Sequence, residues 1–326
     1  MDELSLVTGG AGFIGSHLVE ELVRRGRPVR VFDDFSTGLR SNLTHLVSSA
    51  EVIEGSLTDP AAVARAMTRV GVVYHLGALA SVARSVESPL VTHAACATGT
   101  LHVLDAARRA GVRRVVYAAS SSAYGGAGGN QPADGGQTEG QLPAAKSPYA
   151  AAKLAGEFYM QAFAAAYGIE TVRLRFFNIF GPRQRSDSPY SGVIALFVAA
   201  MARGEAPIVH GDGRQARDFT YVANAVQALT KAAEAPEVSG NVYNVGTGRS
   251  VSVLDLIAAL NRVLGTDLEP AFGPSRTGDV RFSRADVRRT REDLGYDPAV
   301  SFEEGLRKTV QWYLESSGSF RRLQRV

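Results

Sequence analysis

The chain has 326 residues, of which 45% are hydrophobic and 21% charged, so it is an ordinary globular protein long enough for about two domains. Its 35 basic and 32 acidic residues give a net charge of +3, and no basic block precedes the short run at 321–325, so nucleic acid is not an expected partner. A single cysteine, Cys96, excludes an intrachain disulfide, and no apolar run approaches the ~18 residues of a membrane span.

The N-terminal segment leads directly into a predicted strand and a glycine turn. Because the strand-like run begins at Leu4, no signal peptide is expected, and the cytoplasm is the expected location. Residues 8–18 read T-G-G-A-G-F-I-G-S-H-L, and a helix to about Arg25 follows. Strand, glycine turn and helix are the context of a dinucleotide site, because glycines let the backbone approach a pyrophosphate and the helix N-terminus offers free N–H groups. A tight structural turn is the alternative.

The second predicted strand, residues 29–32, ends in two aspartates. Asp33 lies 18 residues beyond Gly15, close to the roughly 20 expected for a carboxylate that holds the adenosine ribose hydroxyls. A carboxylate at this position repels a 2′-phosphate, so NAD is favoured over NADP. The alternative interpretation of Asp33 is a turn residue at the end of a strand.

Further strands are predicted at 51–54, 72–76 and 115–118, and they alternate with helical segments. One long helical segment follows Pro89 and carries Cys96. This alternation predicts a parallel, doubly wound sheet, in which ligands lie at the carboxyl ends of the strands. The glycine turn, Asp33, Gly77 and Ser120 all follow such ends, whereas His75 lies inside an apolar strand and is predicted to be a core histidine.

Residues 147–153 read S-P-Y-A-A-A-K. Ser147 is a good helix cap and Pro148 a good first helical residue, so a helix is predicted to begin here, with Tyr149 and Lys153 one turn apart on the same face. A free phenol titrates near pH ~10. A neighbouring ammonium lowers that pKa and makes the tyrosine usable as a proton acceptor. The alternative is a surface tyrosine beside a solvated lysine.

The second half of the chain contains a predicted strand at 171–175 and then a loop-rich region beyond Pro182. Residues 176–183 read F-F-N-I-F-G-P-R, residues 211–222 read G-D-G-R-Q-A-R-D-F-T-Y-V, and residues 274–280 read P-S-R-T-G-D-V. A guanidinium group is the natural partner of phosphate oxygens, although a single arginine is more often a surface charge. The capping box S-x-x-E at 301–304 opens the last predicted helix.

These motifs resemble those of the extended short-chain dehydrogenase/reductase family, and within it those of the UDP-hexose 4-epimerases. The resemblance rests on the glycine turn, on S-S-S-A-Y-G at 120–125 and on S-P-Y-A-A-A-K, and it covers roughly residues 4–313. It implies an α/β fold, a doubly wound parallel Rossmann sheet with a smaller C-terminal α/β substrate domain. The NAD-binding Rossmann domain is expected at 1–180, with a returning segment near 220–247, and the nucleotide-sugar-binding domain at 181–326.

The resemblance further implies bound NAD and a UDP-sugar whose C4 is inverted through a transient 4-keto intermediate. Tyr149 then takes the C4 hydroxyl proton, directly or through Ser120, while hydride passes to the nicotinamide, and Lys153 bonds the nicotinamide ribose. The cofactor contacts that the resemblance assigns are Gly9, Gly12, Phe13, Ile14, Gly15, Asp33, Leu57, Leu76, Ala78, Tyr149 and Lys153. The substrate contacts that it assigns are Ser120, Asn178, Arg217, Arg276, Asp279 and Ser283.

Ser283 decides which sugar is expected. In the family, this position borders the sugar pocket, where a tyrosine fills the space of an N-acetyl group and a small residue leaves it open. The resemblance therefore predicts that UDP-GlcNAc and UDP-GalNAc are accepted as well as UDP-Glc and UDP-Gal, and the segment 188–194 resembles the N-acetylhexosamine enzymes less specifically.

Other reactions of the family remain as alternatives. Dehydratases place an Asp-Glu pair where this chain has Ser121 and Ser122, and decarboxylases usually carry a glutamate there. A UDP-glucuronate 4-epimerase, another NAD-linked nucleotide-sugar oxidoreductase or decarboxylase, and a non-catalytic NAD-binding regulator stay open.

Two positions depart from the family pattern. Ser56 stands where an aspartate usually lies near the adenine, and Cys96 where an asparagine is common near the cofactor. The Gly-rich stretch at 125–140 is predicted to be a loop. A homodimer through two helices per subunit is expected from the resemblance, and neither a metal site nor a membrane contact is predicted.

Overall fold

The computed structural model describes residues 3–126, 136–187, 191–275 and 281–316. Its strands, in chain order, are β1 Leu4–Thr8, β2 Val29–Asp33, β3 Ala50–Glu54, β4 Val70–His75, β5 Arg114–Ser120, β6 Glu170–Phe176, β7 Ile179–Phe180, β8 Ile208–His210, β9 Ala216–Arg217, β10 Thr220–Tyr221, β11 Asn241–Val245, β12 Val251–Ser252 and β13 Ala271–Gly273. Its α-helices are α1 Phe13–Arg24, α2 Pro60–Ala66, α3 Val82–Glu87, α4 Pro89–His93, α5 Gly99–Ala110, α6 Pro148–Tyr167, α7 Val193–Met201, α8 Val222–Glu234, α9 Val253–Leu264, α10 Arg288–Leu294 and α11 Phe302–Ser316. Short 3₁₀ turns lie at Arg40–Leu46 and Ser121–Tyr124, and a π-helical turn at Ala94–Thr98.

A seven-stranded sheet in the order β11-β6-β5-β4-β1-β2-β3 forms the centre of the molecule. Every pair of neighbouring strands in it is parallel. The strands predicted in the first half of the chain and at 171–175 are all present, so the predicted α/β fold with a doubly wound parallel sheet is confirmed. β11 pairs with β6 and forms one edge of this sheet.

Helices cover both faces of the sheet, because successive strand residues point to opposite sides. Val7 of β1 belongs to an apolar cluster that includes residues of α1 and α8, whereas its neighbour Leu6 belongs to a cluster with residues of α2, α5 and α6. A third cluster joins α7, α9 and α11 around the aromatic side chains Phe180 and Phe219. Phe302 of α11 stacks on Phe219 and meets Phe180 edge-on.

Local sequence signals set the beginnings of two helices. α6 begins at Pro148 as predicted, and the Ser147 hydroxyl accepts a hydrogen bond from the Ala150 amide at 3.1 Å. The Ser301 hydroxyl accepts in the same way from the Glu304 amide at 3.2 Å, at the start of α11. A capping oxygen satisfies one of the amides that the first helical turn leaves without a partner.

The long helical segment predicted after Pro89 is present, and it contains an irregular turn that the sequence did not indicate. It consists of α4, the π-helical turn Ala94–Thr98 and α5, and Cys96 lies in that turn. The Thr100 hydroxyl donates to the Cys96 carbonyl oxygen at 2.6 Å. A side chain that bonds a helix carbonyl competes with the backbone ladder, which is a recognised cause of irregular helical turns.

Across the ranges that the structure describes, no helix is both long and apolar enough to cross a membrane. The apolar helix α7 has only 9 residues. Part of the predicted loop at 125–140, residues 127–135, lies outside the described residues.

Candidate active site

The carboxyl ends of parallel strands meet at one edge of the sheet, and most of the residues singled out from the sequence lie there. The glycine turn follows β1, Asp33 ends β2, Leu76 and Ala78 follow β4, and Ser120 ends β5. The topology thus brings together residues that are far apart in the chain, as a doubly wound sheet predicts.

The glycine turn is packed too closely for side chains. Gly9 has φ of +69°, and a Cβ placed there would lie 2.8 Å from the Cα of Gly77. A Cβ at Gly15 would lie 2.1 Å from the carbonyl oxygen of Gly9. Gly12 is the N-cap residue of α1 and supplies no side-chain cap. The first turn of α1 therefore offers its amides and positive dipole end to an anion, and the turn fits a pyrophosphate.

Asp33 is buried and tied to the glycine turn. Its Oδ2 accepts a hydrogen bond from the Ala11 amide at 2.9 Å, and its Oδ1 accepts one from the Phe35 amide at 2.8 Å. Burial raises the pKa of the Asp33 carboxyl, and these two hydrogen bonds oppose that rise. Each carboxylate oxygen has further acceptor capacity, so Asp33 fits a ribose diol beside the glycine turn.

Half-buried apolar side chains surround the end of β4. Leu57 contacts Gly77 closely enough that a Cβ on Gly77 would lie 2.7 Å from the Leu57 Cδ1. Ile14 and Leu76 pack against the cluster that includes α1, and Phe13 packs against the cluster around Phe180. Ala78 and Tyr149 pack together with Cys96. These apolar walls fit the flat rings of a dinucleotide, so the described residues are suited to hold NAD.

Tyr149 lies in the first turn of α6, half-buried beside Ser120. Burial raises the pKa of the phenol, as does the neighbouring Cys96, and a side-chain hydrogen bond with Ser120 acts in the opposite direction. The sequence predicts a lowered pKa for Tyr149, and this net direction is wrong for the chain by itself, in which the pKa is raised. The physical reason is that desolvation of the phenolate is the dominant effect.

Lys153 is also buried, with 3% of its surface exposed. Its Nζ donates to the Ala118 carbonyl oxygen at 2.8 Å and lies 4.8 Å from the centre of the Tyr117 ring. Burial lowers the pKa of the ammonium, while Cys96 and Glu157 raise it. Lys153 is thus held between β5 and α6, with the charge on the side of the sheet where Tyr149 lies.

Ser120 is a hydrogen-bond acceptor for its neighbour Ser122. The Ser122 amide donates to the Ser120 Oγ at 3.2 Å, and the Ser122 hydroxyl donates to it at 2.9 Å. Because both lone pairs of Ser120 are occupied, its own proton is directed elsewhere. The hydrogen bond that lowers the pKa of Tyr149 fits donation from Ser120 to the phenolate oxygen.

Three of the predicted substrate residues, Asn178, Arg217 and Ser283, lie beyond the sheet on separate chain segments. Asn178 has φ of +34°, a strained conformation that asparagine tolerates better than most residues, and its carbonyl accepts from the Thr220 amide at 3.2 Å. Arg217 belongs to β9, and the Ser283 amide donates to the carbonyl of the preceding Ala216 at 3.1 Å. Arg217 and the buried Ser283 are therefore on adjoining segments, whereas Arg276 and Asp279 lie outside the described residues.

The segment 136–147 connects these residues to Ser120. Gln137 donates its amide to the Arg284 carbonyl at 2.7 Å, next to Ser283. Ala144 donates its amide to the Ala123 carbonyl at 2.8 Å, close behind Ser120. The residues predicted to be catalytic and those predicted to bind substrate are thus joined by main-chain hydrogen bonds that the sequence could not indicate.

Sequence reasoning missed a buried ion pair below the site. Glu157 lies one turn beyond Lys153 in α6 and pairs with Arg175 of β6, with an Nη2–Oε2 distance of 2.8 Å. Arg175 also lies over the ring of Tyr124 at 4.7 Å. The pair connects α6 to the neighbouring strand, and the only sequence signal was a carboxylate at helical spacing from Lys153.

His75 is buried, as predicted, and it joins three elements. The Thr100 hydroxyl donates its proton to the Cys96 carbonyl oxygen, so toward His75 it can only accept. The Nε2 of His75 therefore donates to the Thr100 hydroxyl at 3.0 Å. The Nδ1 then accepts from the Thr8 hydroxyl at 2.7 Å, and the Gly77 amide donates to that same hydroxyl at 3.2 Å. Burial lowers the pKa of His75 to about 3, so the ring is neutral and holds the end of β4 against the glycine turn.

The two departures from the family pattern occupy different surroundings. Ser56 lies in the turn before α2, where its hydroxyl is 2.9 Å from that of Thr58 and takes part in the turn itself. Cys96 is buried in the π-helical turn against Tyr149 and Ala152.

Comparison with known proteins identifies a family model and several similar enzymes. A family model described as the NAD dependent epimerase/dehydratase family matches residues 5–246. The chain is 37% identical over 321 residues to a UDP-glucose 4-epimerase of Mycolicibacterium smegmatis, which covers 96% of this chain and 99% of that one. It is 33% identical over 322 residues to a UDP-N-acetyl-alpha-D-glucosaminuronate decarboxylase of Bacillus cytotoxicus. That match covers 97% of this chain and 99% of the relative.

A solved structure gives the same result for the fold. The UDP-N-acetylglucosamine 4-epimerase from Methanobrevibacter ruminantium, in complex with UDP-N-acetylmuramic acid, superposes with a TM-score of 0.91 at 35% identity. The match covers 97% of this chain and 99% of that one. The similar proteins include both epimerases and a decarboxylase, so the comparisons indicate the class of enzyme but leave its individual reaction to be tested.

We expect Gly15→Ala to lose bound NAD, because its Cβ would collide with the Gly9 carbonyl and displace the turn from the start of α1. Gly140→Ala is the matched control, since a Cβ there meets nothing within 4 Å. The measurement is the NAD released when each purified protein is denatured, with far-UV circular dichroism to verify folding. Equal NAD content in a folded Gly15→Ala protein would contradict the assignment of this turn to the pyrophosphate.

Proposed function

Because the chain belongs to the NAD dependent epimerase/dehydratase family, we propose that it is a UDP-hexose 4-epimerase. It inverts C4 of the sugar through a transient 4-keto intermediate and ends each cycle with its NAD unchanged. The observation that supports this reaction is the grouping of the Ser120 hydroxyl, the Tyr149 phenol and the Lys153 ammonium at the carboxyl edge of the sheet.

Tyr149 and Ser120 transfer the proton of the C4 hydroxyl. Bound NAD supplies the acceptor, and later the donor, of the hydride at C4. Tyr149 accepts the hydroxyl proton when C4 is oxidised and returns it when the ketone is reduced. Ser120, whose oxygen accepts both hydrogen bonds from Ser122, has a proton to donate to the phenolate or to the sugar oxygen.

Lys153 orients the cofactor and favours the ionised form of Tyr149. One of its three N–H donors goes to the Ala118 carbonyl. The remaining donors are available for the hydroxyls of the nicotinamide ribose. An ammonium that is fixed in a buried site also favours a nearby phenolate, and this opposes the effect of burial on Tyr149.

The diphosphate and nucleoside are proposed to be held by Arg217, Asn178 and Arg276. The keto sugar meanwhile turns over, so that its other face meets the nicotinamide. Asp279 is proposed to lie near the nucleoside. A guanidinium suits this task, because its planar donors match phosphate oxygens. Inversion at C4 needs an anchored nucleotide and a sugar that can rotate, so the anchor and the reacting group must lie on separate segments.

Ser283 is proposed to leave room for an N-acetyl group, so that UDP-GlcNAc and UDP-GalNAc are substrates together with UDP-Glc and UDP-Gal. Its small side chain is buried next to β9, where it would border the sugar pocket. A decarboxylase or UDP-glucuronate 4-epimerase is the second candidate, since several similar proteins are decarboxylases. The positions after Ser120 hold the hydroxyls of Ser121 and Ser122 instead of a carboxylate, which favours epimerisation.

A homodimer is proposed to form through two helices per subunit, α4 and α6, with α3 beside them. Both α3 and α4 pack against α6. On these helices Val86, Leu90 and Phe158 expose 64%, 83% and 60% of their surfaces. Exposed apolar groups of this size on helices that pack together support a surface that another subunit covers.

We expect Tyr149→Phe to reduce turnover by about 10²–10⁴-fold while NAD stays bound, because only the proton acceptor is removed. The assay uses purified protein without added NAD, incubated with UDP-GalNAc and separately with UDP-Gal, and the epimers are separated by chromatography. Full activity of Tyr149→Phe would contradict the proton-transfer role. Absence of turnover by the wild-type protein, with UDP-glucuronate then converted, would favour the second candidate.

Ser283→Tyr is expected to lower kcat/KM for UDP-GalNAc by about tenfold or more, because the larger side chain fills the space of the N-acetyl group. Turnover of UDP-Gal should persist, and Ser283→Ala should retain both activities as the matched small control. Measurement of kcat/KM for both sugars with all three proteins decides the question. Intact UDP-GalNAc turnover by Ser283→Tyr would show that this residue does not border the pocket.

The double substitution Leu90→Glu and Phe158→Glu should convert a dimer to a monomer, because it places charges in an apolar interface. Leu142→Glu is the matched control, since Leu142 is 91% exposed but lies outside these helices. Sedimentation velocity of the wild type and both variants gives the masses. A wild-type protein that sediments as a monomer would refute the homodimer.

A further inference from the structure

Asp218 is a fully buried carboxylate that joins three separate chain segments. It lies between β9 and β10 and has 0% of its surface exposed. Its Oδ1 accepts from the amide and the hydroxyl of Thr247 at 2.8 and 2.7 Å. Its Oδ2 accepts from the amides of Gly248 at 2.9 Å and Ala285 at 3.1 Å. We call this set of four hydrogen bonds the Asp218 clasp.

All four groups of the clasp donate hydrogen bonds to the Asp218 carboxylate oxygens, so the clasp needs the ionised carboxylate. Burial raises the pKa of the Asp218 carboxyl, and the hydrogen bonds from Thr247, Ala285 and Gly248 oppose this rise. A protonated carboxyl would direct its own proton at groups that also donate. A buried charge costs free energy unless hydrogen bonds satisfy it, and here backbone and hydroxyl donors satisfy it on both oxygens.

Two of the segments that the clasp joins carry proposed substrate residues. Arg217 directly precedes Asp218, and Ser283 lies two residues before Ala285. Thr247 and Gly248 follow β11 and lead to β12, which pairs with β9. None of the proposed cofactor contacts lies on these segments, so the clasp supports the substrate side of the site alone.

Neighbouring contacts leave little freedom around the clasp. Ser283 donates its amide to the Ala216 carbonyl at 3.1 Å, and its own carbonyl accepts from the Ser250 hydroxyl at 3.1 Å. A Cβ placed on Gly246 would lie 2.8 Å from the Asp218 Oδ2 and 2.5 Å from the Ala285 Cβ. Any shift of Asp218 therefore moves the segments of Arg217 and Ser283 relative to the end of β11.

From this arrangement we infer that Asp218 is a positioning residue. It fixes the positions of Arg217 and Ser283 relative to each other for binding the nucleotide end of the substrate. The inference rests on the proposed function and adds a residue to its machinery. Asp218 touches neither substrate nor cofactor, and it acts through the backbone of the two segments it holds. The role suits a reaction in which the sugar must turn while the nucleotide stays fixed.

Asp218→Asn keeps the shape of the side chain but replaces an acceptor oxygen by a donor group. We expect it to weaken UDP binding by about 10- to 100-fold and to raise KM for the UDP-sugar by a similar factor, as for a lost hydrogen bond to a buried charge. Bound NAD and kcat should stay close to the wild type. UDP binding is measured by calorimetry, NAD by release on denaturation, and KM and kcat by the epimer assay.

Thr247 provides a second pair of variants in case Asp218→Asn does not fold. Thr247→Val removes one donor from the clasp and should weaken UDP binding by about tenfold, whereas Thr247→Ser keeps the hydroxyl and should restore it. Thr309→Val is the control, because Thr309 is a buried threonine of α11 whose hydroxyl donates to the Gly305 carbonyl of its own helix. It should lose stability without a change in UDP affinity.

The outcomes separate the inference from the proposed function. Wild-type protein that fails to bind UDP would overturn both. Equal UDP affinity and KM in the wild type, Asp218→Asn and Thr247→Val would overturn the inference alone. Parallel losses of folded protein, NAD and kcat with an unchanged UDP affinity would show that Asp218 serves only stability, which also contradicts the inference.

Discussion

The parallel arrangement of the central sheet is the constraint on which the candidate site depends. Each crossover helix returns the chain to the same end of the sheet, so every strand ends at one edge. The glycine turn, Asp33 and Ser120 each follow a different strand and meet there. An antiparallel neighbour would have carried its terminal residues to the opposite edge, and these groups would have been separated by the length of a strand.

Desolvation governs the chemistry of the groups at that edge. It raises the pKa of Tyr149 and lowers that of Lys153, so in the chain by itself it disfavours the charged form of both. The Ser120 hydrogen bond acts against this on the phenol, and Glu157 acts against it on the ammonium. Glu157 is itself paired with Arg175. An oxidised nicotinamide ring would carry a positive charge that favours a phenolate, and this would link the proposed proton acceptance by Tyr149 to the cofactor.

The proposed cofactor side and the proposed substrate side of the site are built differently. The cofactor side rests on the sheet. Main-chain hydrogen bonds between the strands, and the hydrogen bonds that link buried His75, Thr8 and Gly77, keep the glycine turn against the end of β4. The substrate side consists of short strands and loops beyond the sheet, held by individual hydrogen bonds such as those to Asp218. Enzymes of one family can therefore keep the same hydride chemistry and differ in their sugars, because loop segments change without disturbing the sheet.

The sequence by itself determined the parts of this protein that depend on near neighbours in the chain. Short apolar runs between helical segments located the strands. Ser147 and Pro148 located the start of α6, and the glycine turn with Asp33 indicated a dinucleotide. Tertiary structure alone decided the π-helical turn at Cys96, the direction of the pKa shift of Tyr149 and the partners of Asp218. These depend on burial and on contacts between remote segments, such as Asp218 and Ala285, which are 67 residues apart. Local pattern carries no information about such distances, because only the folded chain sets which segments exclude water and which donors meet a buried charge.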